Sequence, residues 1–237
     1  MQEVYYAMVS KLILSKYNTF MIFGKIQYLN LLPFHVFMKS FIKNSASKMS
    51  MEYKRGVPSQ INRDFHARRV DAAFISSISA QKSKYVGLGI IAKKGVKSVI
   101  VIPSQKSKRD IESASSNVLA NILDVKGEVL IGDKALKYAL SNSDYIDLAK
   151  VWSERYNLPF VFALLCYHKD KKLYKKIERE FLRKEVKIPQ YILEKASKRT
   201  QISKKEILSY LQLISYRVDS KSKRGLTRFY KEARKLT

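Results

Sequence analysis

A strand running straight into a helix, over Met21 to Phe34, constrains this chain more than any other feature. Met21 to Tyr28 reads as the strand and Pro33 as the start of the helix. Proline in a first helical turn sacrifices no hydrogen bond, because the N–H groups there lack intrahelical partners. Asn30 stands at the hinge, where its amide either caps the helix or faces a ligand. One such junction says little, but the chain repeats the move.

Met51 to Tyr53 is a short strand leading through Gly56-Val57-Pro58 to Ser59, which can cap a helix carrying Ile61, Phe65 and Val70. The apolar run Asp71 to Ile75 ends in Ser76-Ser77, and strands follow at Gly89 to Ala92 and Ser98 to Ile102. Ser113 to Asn117 introduces a helix, Glu128 to Ile131 is a strand that turns at Gly132-Asp133 into another, and Asp147 caps the helix of Val151 and Trp152. Leu158 to Leu165 reads as the last strand, and everything from Asp170 onward as helix, including Ile207 to Val218.

Strands alternating with helices predict an α/β fold with a mainly parallel sheet. Ligands of such sheets bind beyond the carboxyl ends of the strands. Asn30, Ser76-Ser77, Ser115-Ser116 and Asp133 all fall at strand-to-helix junctions, on that edge. Helix-start N–H groups attract anions and nearby hydroxyls add directional donors, so the expected ligand is a small polyanion.

Composition narrows the alternatives. The net charge of +26 would draw nucleic acid, an anionic membrane or an acidic small molecule. His168 to Thr237 alone carries +14, spread around helical patterns as in Lys171-Lys172 and Lys175-Lys176, without a zinc-finger spacing or an aromatic RNA-binding signature. A solvated lysine-rich face is therefore expected, with no nucleic-acid partner. The apolar runs fall short of the roughly 20 residues that span a bilayer, so no membrane partner is expected. Cys166 is the only cysteine and lies in an apolar run, which fits a reducing, cytoplasmic setting. His35, His66 and His168 match no metal spacing, and neither a Gly-rich phosphate loop nor a G-x-S-x-G elbow is present. Residues 1–20 read as an extension outside the fold, because Lys11 and Lys16 interrupt their apolar residues.

Eight blocks in one order carry a resemblance. They are Tyr28-Leu29-Asn30-Leu31-Leu32-Pro33, Gly56-Val57-Pro58-Ser59, Asp71 to Ser77, Lys97-Ser98-Val99, Ser115-Ser116, Ile131 to Leu136, Asp147-Leu148 with Trp152, and Leu158 to Ala163. In these the chain resembles the chorismate dehydratases of the futalosine route to menaquinone. The likeness covers Met21 to about Cys166 well and the helical tail more loosely. Many family members carry Ser-Arg-Thr-Ser where this chain has Ser113-Ala114-Ser115-Ser116, so hydroxyls and N–H groups, rather than a cation, are expected to act from that loop.

The resemblance implies a periplasmic-binding-protein type II-like fold of two lobes around a ligand cleft, with a helical C-terminal segment. Lobe one is expected to hold residues 21–97 and 167–237, and lobe two residues 98–166. It implies removal of water from chorismate to give 3-[(1-carboxyvinyl)oxy]benzoate, with no metal or other cofactor. Asn30 becomes the catalytic residue; Tyr28, Ser76, Ser77, Ser98, Ser115, Ser116, Gly132, Asp133 and Phe162 surround the substrate. Asp133 also reads as a helix cap, because a carboxylate beside a dianion is repelled. A non-catalytic binder or sensor of a small aromatic carboxylate uses the same fold, and a homodimer is left open.

Overall fold

The computed structural model describes residues 20–43, 50–183 and 185–236. The proposed 1–20 extension therefore lies, but for the backbone of residue 20, outside the described residues. Strand β1 (Phe20–Lys25) leads through a 3-10 turn (Leu29–Leu31) into helix α1 (Leu32–Lys43). Strand β2 (Ser50–Arg55), helix α2 (Pro58–His66), β3 (Ala72–Ser76), β4 (Tyr85–Ala92) and β5 (Val99–Pro103) follow. Next come α3 (Ala114–Leu123), β6 (Gly127–Ile131), α4 (Gly132–Ser141), β7 (Ile146–Asp147), α5 (Leu148–Tyr156) and β8 (Phe160–Tyr167). The C-terminal part is α6 (Lys171–Arg183), α7 (Gln190–Thr200), α8 (Lys204–Leu211), β9 (Ile214–Arg217) and α9 (Ser220–Ala233).

Two sheets form. The larger has the order β2-β1-β3-β8-β4-β9, the smaller β6-β5-β7. Among the described strands only β1–β2 and β1–β3 pair in parallel; the β3–β8, β4–β8, β4–β9, β5–β6 and β5–β7 pairs are antiparallel. The expectation of a mainly parallel sheet is thus overturned. β8 returns from the smaller sheet and inserts between β3 and β4, reversing direction at the centre of the larger one. That insertion also moves residues 160–166, expected in lobe two, into the larger sheet.

The tail is not wholly helical either. Ile214–Arg217 is an edge strand on β4, where a helix over Ile207 to Val218 was expected. Ile214, Tyr216 and Val218 alternate with Ser215 and Arg217, a period of two that belongs to a strand. Two aromatic clusters fix the helices to the larger sheet. Phe34 of α1 meets Phe74 at 4.9 Å and Phe181 of α6 at 5.4 Å, while Phe229 of α9 meets Phe160 at 4.9 Å. Trp152 of α5, fully buried, packs on the same Phe160 at 5.2 Å and so ties the two sheets' layers together. Among the described residues no helix is long and apolar enough to cross a membrane.

Candidate active site

A cleft opens where the two sheets face each other, with about 630 Å3 of atom-free space, its mouth included. Ile26, Tyr28, Asn30, Phe74, Ser76, Ile90 and Phe162 line it from the larger sheet; Val99, Ser113, Ser115, Ser116, Ile131 and Gly132 line it from the smaller. Ser98 and Ile214 are also among its walls, the latter from the strand that the sequence reading took for helix. Among the described residues that line it, none is a lysine or arginine. The walls are apolar and the polar groups few, the usual composition of a small-molecule site.

The first junction works differently from a helix cap. Tyr28 is the N-cap of the 3-10 turn and makes no side-chain cap bond; Asn30 sits inside the turn. The orphan N–H of Leu29 is instead taken from across the cleft by Asp133 Oδ1 at 2.8 Å. That leaves the Asn30 amide on the cavity wall with no capping duty. Asp133 itself does not line the cavity, which corrects its placement around the substrate, and it does not cap its own helix, whose N-cap is Ile131. Its second oxygen meets Arg199 Nη1 at 2.8 Å. Burial pushes the Asp133 carboxyl up, against the Leu29 N–H and the Arg199 guanidinium that favour its charge.

The second junction has an ordinary cap. Ser113 Oγ accepts the Ser116 N–H at 3.1 Å, so α3 starts from a capped turn with Ser115 and Ser116 as its second and third residues. Ser59, by contrast, is inside α2 behind Pro58, and the cap position there belongs to Val57, which has no capping side chain.

The serines sort by what their protons do. Ser77 donates to the Val161 carbonyl through a short bond, is fully buried, and does not line the cavity, so its placement around the substrate is corrected. Ser76 lines the cavity but donates to Ser79 Oγ at 3.2 Å, while Asn62 Nδ2 donates to it at 2.5 Å. Three others accept a hydrogen bond and keep their own proton to give. Ser98 Oγ accepts from Tyr210 at 2.9 Å, Ser115 Oγ from the Ile78 N–H at 3.0 Å, and Ser116 Oγ from Ser113 at 2.7 Å. The first-turn N–H groups of Ala114 and Ser115 precede any intrahelical acceptor and add to these donors.

Tyr28 closes one wall. Its ring lies against Gly132, where φ is +67° and a Cβ would meet the ring at 2.6 Å, so only glycine lets the two approach. The Tyr28 hydroxyl donates to Glu112 through a short bond, and Lys134 balances that carboxylate from 3.7 Å while pairing with Asp110 at 2.8 Å. Burial first, and the Glu112 carboxylate second, push the Tyr28 hydroxyl well above the usual phenol range, so it acts as a donor. Phe162 lines the floor. Sequence reading had missed Ser113, Glu112, Tyr210 and Tyr216; only Ser113 carried a local signal, three residues before Ser116.

Among the described residues no group of three His, Cys, Asp or Glu side chains stands close enough to hold a metal ion. His35 gives its Nε2 proton to the Ile26 carbonyl at 2.9 Å, His168 bonds the Phe65 carbonyl at 2.8 Å, and burial raises the Cys166 thiol to about 12.

Known structures place this architecture. A solved protein of Archaeoglobus fulgidus superposes with a TM-score of 0.70 at 15% identity, covering 92% of this chain and 97% of its own. A Candida albicans protein, described as having the generic periplasmic binding protein fold, superposes with a TM-score of 0.56 at 14% identity, covering 92% and 90%. The class is thus a two-lobed periplasmic-binding-protein-like fold, with the cleft described above between its two sheets. A family model for menaquinone biosynthesis matches residues 21–123 and 106–235. The chorismate dehydratase of Campylobacter jejuni is 45% identical over 220 residues, 91% of this chain and 99% of that enzyme. The chain belongs to the menaquinone-biosynthesis family.

Proposed function

We propose that this protein is a hydro-lyase that removes water from chorismate, in the futalosine route to menaquinone. The observation that carries the reading is a single cleft holding an amide relieved of capping and three serines with protons to give, in a chain so close to a chorismate dehydratase. In the reaction the C3–H bond breaks and its electrons form the ring double bond. The C4–O bond breaks with its electrons on oxygen, which takes up a proton and leaves as water. The ring becomes aromatic, so the driving force is large and a strong protein base is not needed.

Asn30 orients the substrate and hydrogen-bonds the departing hydroxyl, since an amide both donates and accepts. Ser98, Ser115 and Ser116, with the α3 first turn, bind the carboxylates as donors. The substrate's own enolpyruvyl carboxylate takes the C3 proton. Lobes of about 21–97 with 160–237, and 98–159, close over it. A cytoplasmic setting belongs to the same reading, since the free, buried Cys166 fits a reducing compartment.

Incubation with chorismate, followed by chromatography, tests this. The expected product is the enol ether of 3-hydroxybenzoate. Saturable chorismate binding without product would assign the cleft to a binder instead.

A further inference from the structure

We infer that Tyr210 and Tyr216, both from the C-terminal segment, are positioning residues that hold Asn30 in its working orientation. The inference rests on the reading of Asn30 as the catalytic group. Asn30 sits in a short 3-10 turn, a form with poor hydrogen-bond geometry and little rigidity of its own. Its side chain faces the cleft without a capping bond, so something else must fix the plane of the amide.

Two tyrosines supply that. Tyr216, on edge strand β9, donates its hydroxyl to the Asn30 carbonyl oxygen at 2.7 Å, pinning the backbone of the turn. The Tyr216 ring is itself set by an edge contact with Phe181 at 5.2 Å. Tyr210, 4% exposed, belongs to α8, which packs on the 3-10 turn that carries Asn30, and the Asn30 side chain favours the charged form of its hydroxyl. Its one proton goes to Ser98 Oγ at 2.9 Å. Toward Asn30 the Tyr210 oxygen can then only accept, so an amide N–H is the group of Asn30 that it can hold. The Asn30 side-chain Oδ1 and its second N–H are left for the substrate. Ser98 accepts from Tyr210 and keeps its own proton for the same cleft, so one relay sets two of the proposed substrate contacts.

Burial pushes both hydroxyls above the usual phenol range. They therefore stay protonated wherever the protein is folded and serve as fixed partners rather than as bases. The relay also gives the tail a reason to be where it is. α8 and β9 bring it back to the first junction, 186 residues from Asn30 to Tyr216.

The test is a cycle of variants read by steady-state kinetics on chorismate beside melting temperature. Tyr210→Phe keeps the ring and removes the hydroxyl; it should lower kcat by about tenfold to a hundredfold while KM stays within about threefold. In an Asn30→Ala background the same change should cost clearly less than in the wild type, because only the Ser98 contact is then left to lose. Tyr216→Phe should behave likewise with a smaller loss, and it carries the test alone if Tyr210→Phe does not fold. If Asn30→Ala is inactive while both tyrosine variants turn over at the wild-type rate, the inference is overturned. Losses that multiply with that of Asn30→Ala overturn it too, because they make the tyrosines independent of the amide. If Asn30→Ala itself keeps the wild-type kcat, the catalytic reading of Asn30 falls and the inference falls with it, a result the Asn30 arm identifies on its own.

Discussion

The two junctions that face each other across the cleft solve the same problem in opposite ways. At the start of α3 the cap is local: Ser113 serves the Ser116 N–H from three residues away. At the turn before α1 the cap is foreign: Asp133, 104 residues on, serves Leu29. A local cap spends a side chain of its own junction, whereas a foreign cap releases one. Asn30 is the residue released. The chemistry of the site is thus assigned by which polar groups are spared from holding the fold, and the same rule separates Ser115 and Ser116 from Ser76 and Ser77.

The largest effect that would sharpen this contrast comes from Ser115 and Ser116. Replacing both with alanine removes two donors to a charged ligand, worth about 1.5–3 kcal/mol each, so chorismate affinity should fall by about a hundredfold or more. Stability should fall by only about 1–2 kcal/mol, through the lost partner of the Ile78 N–H. Calorimetric binding beside a melting curve checks this; unchanged affinity with a lowered melting temperature would make the pair structural.

Acid should loosen the first junction and leave the second alone. His35 holds the Ile26 carbonyl just before the turn, and burial lowers its pKa to about 4. Its unfolded value is about 6.5, so between those limits the unfolded chain binds more protons than the folded one. The stabilisation is complete above about pH 6.5 and is lost as pH falls toward about 4, on the order of 3 kcal/mol in all. His35→Gln should flatten the slope of melting temperature in that window. Equal slopes in variant and wild type would remove His35 from the account.

The smallest effect is the local cap. Ser113→Ala should cost about 1 kcal/mol of stability and leave turnover within about twofold. A collapse of turnover would show that Ser113 works in the cleft, and the distinction between the junctions would weaken.

Much of this was legible in the sequence where the cause is local. The Asp147 cap is such a case, with its carboxylate on the Ala149 and Lys150 N–H groups at 3.0 and 3.1 Å. So are the cleft positions of Asn30, Ser76, Ser115 and Ser116, which lie at strand-to-helix junctions, whereas those of Ser98, Gly132 and Phe162 came only with the family resemblance. What was not legible depends on distant partners. Strand direction is set by where β8 re-enters, and no residue within β8 records that. Ser76 and Ser77 are neighbours of one type, yet Val161 and Asn62 decide what each can do. Tyr210 and Tyr216 reach Asn30 only because the tail folds back. The strand β9 and the Ser113 cap did carry local signals: the alternation over Ile214 to Val218 is a period of two set among helical residues, and Ser113 stands three residues before Ser116.

The central claim is that Asn30 is spared from capping and carries the chemistry. Asn30→Asp tests it most directly, because aspartate caps about as well as asparagine while replacing the amide donor with a negative charge. Chorismate turnover and melting temperature, measured on the same preparation, give the answer. The account predicts a melting temperature within a few degrees of wild type and turnover lowered by about a hundredfold or more, since the new charge faces a dianion. Turnover near the wild-type rate would contradict it.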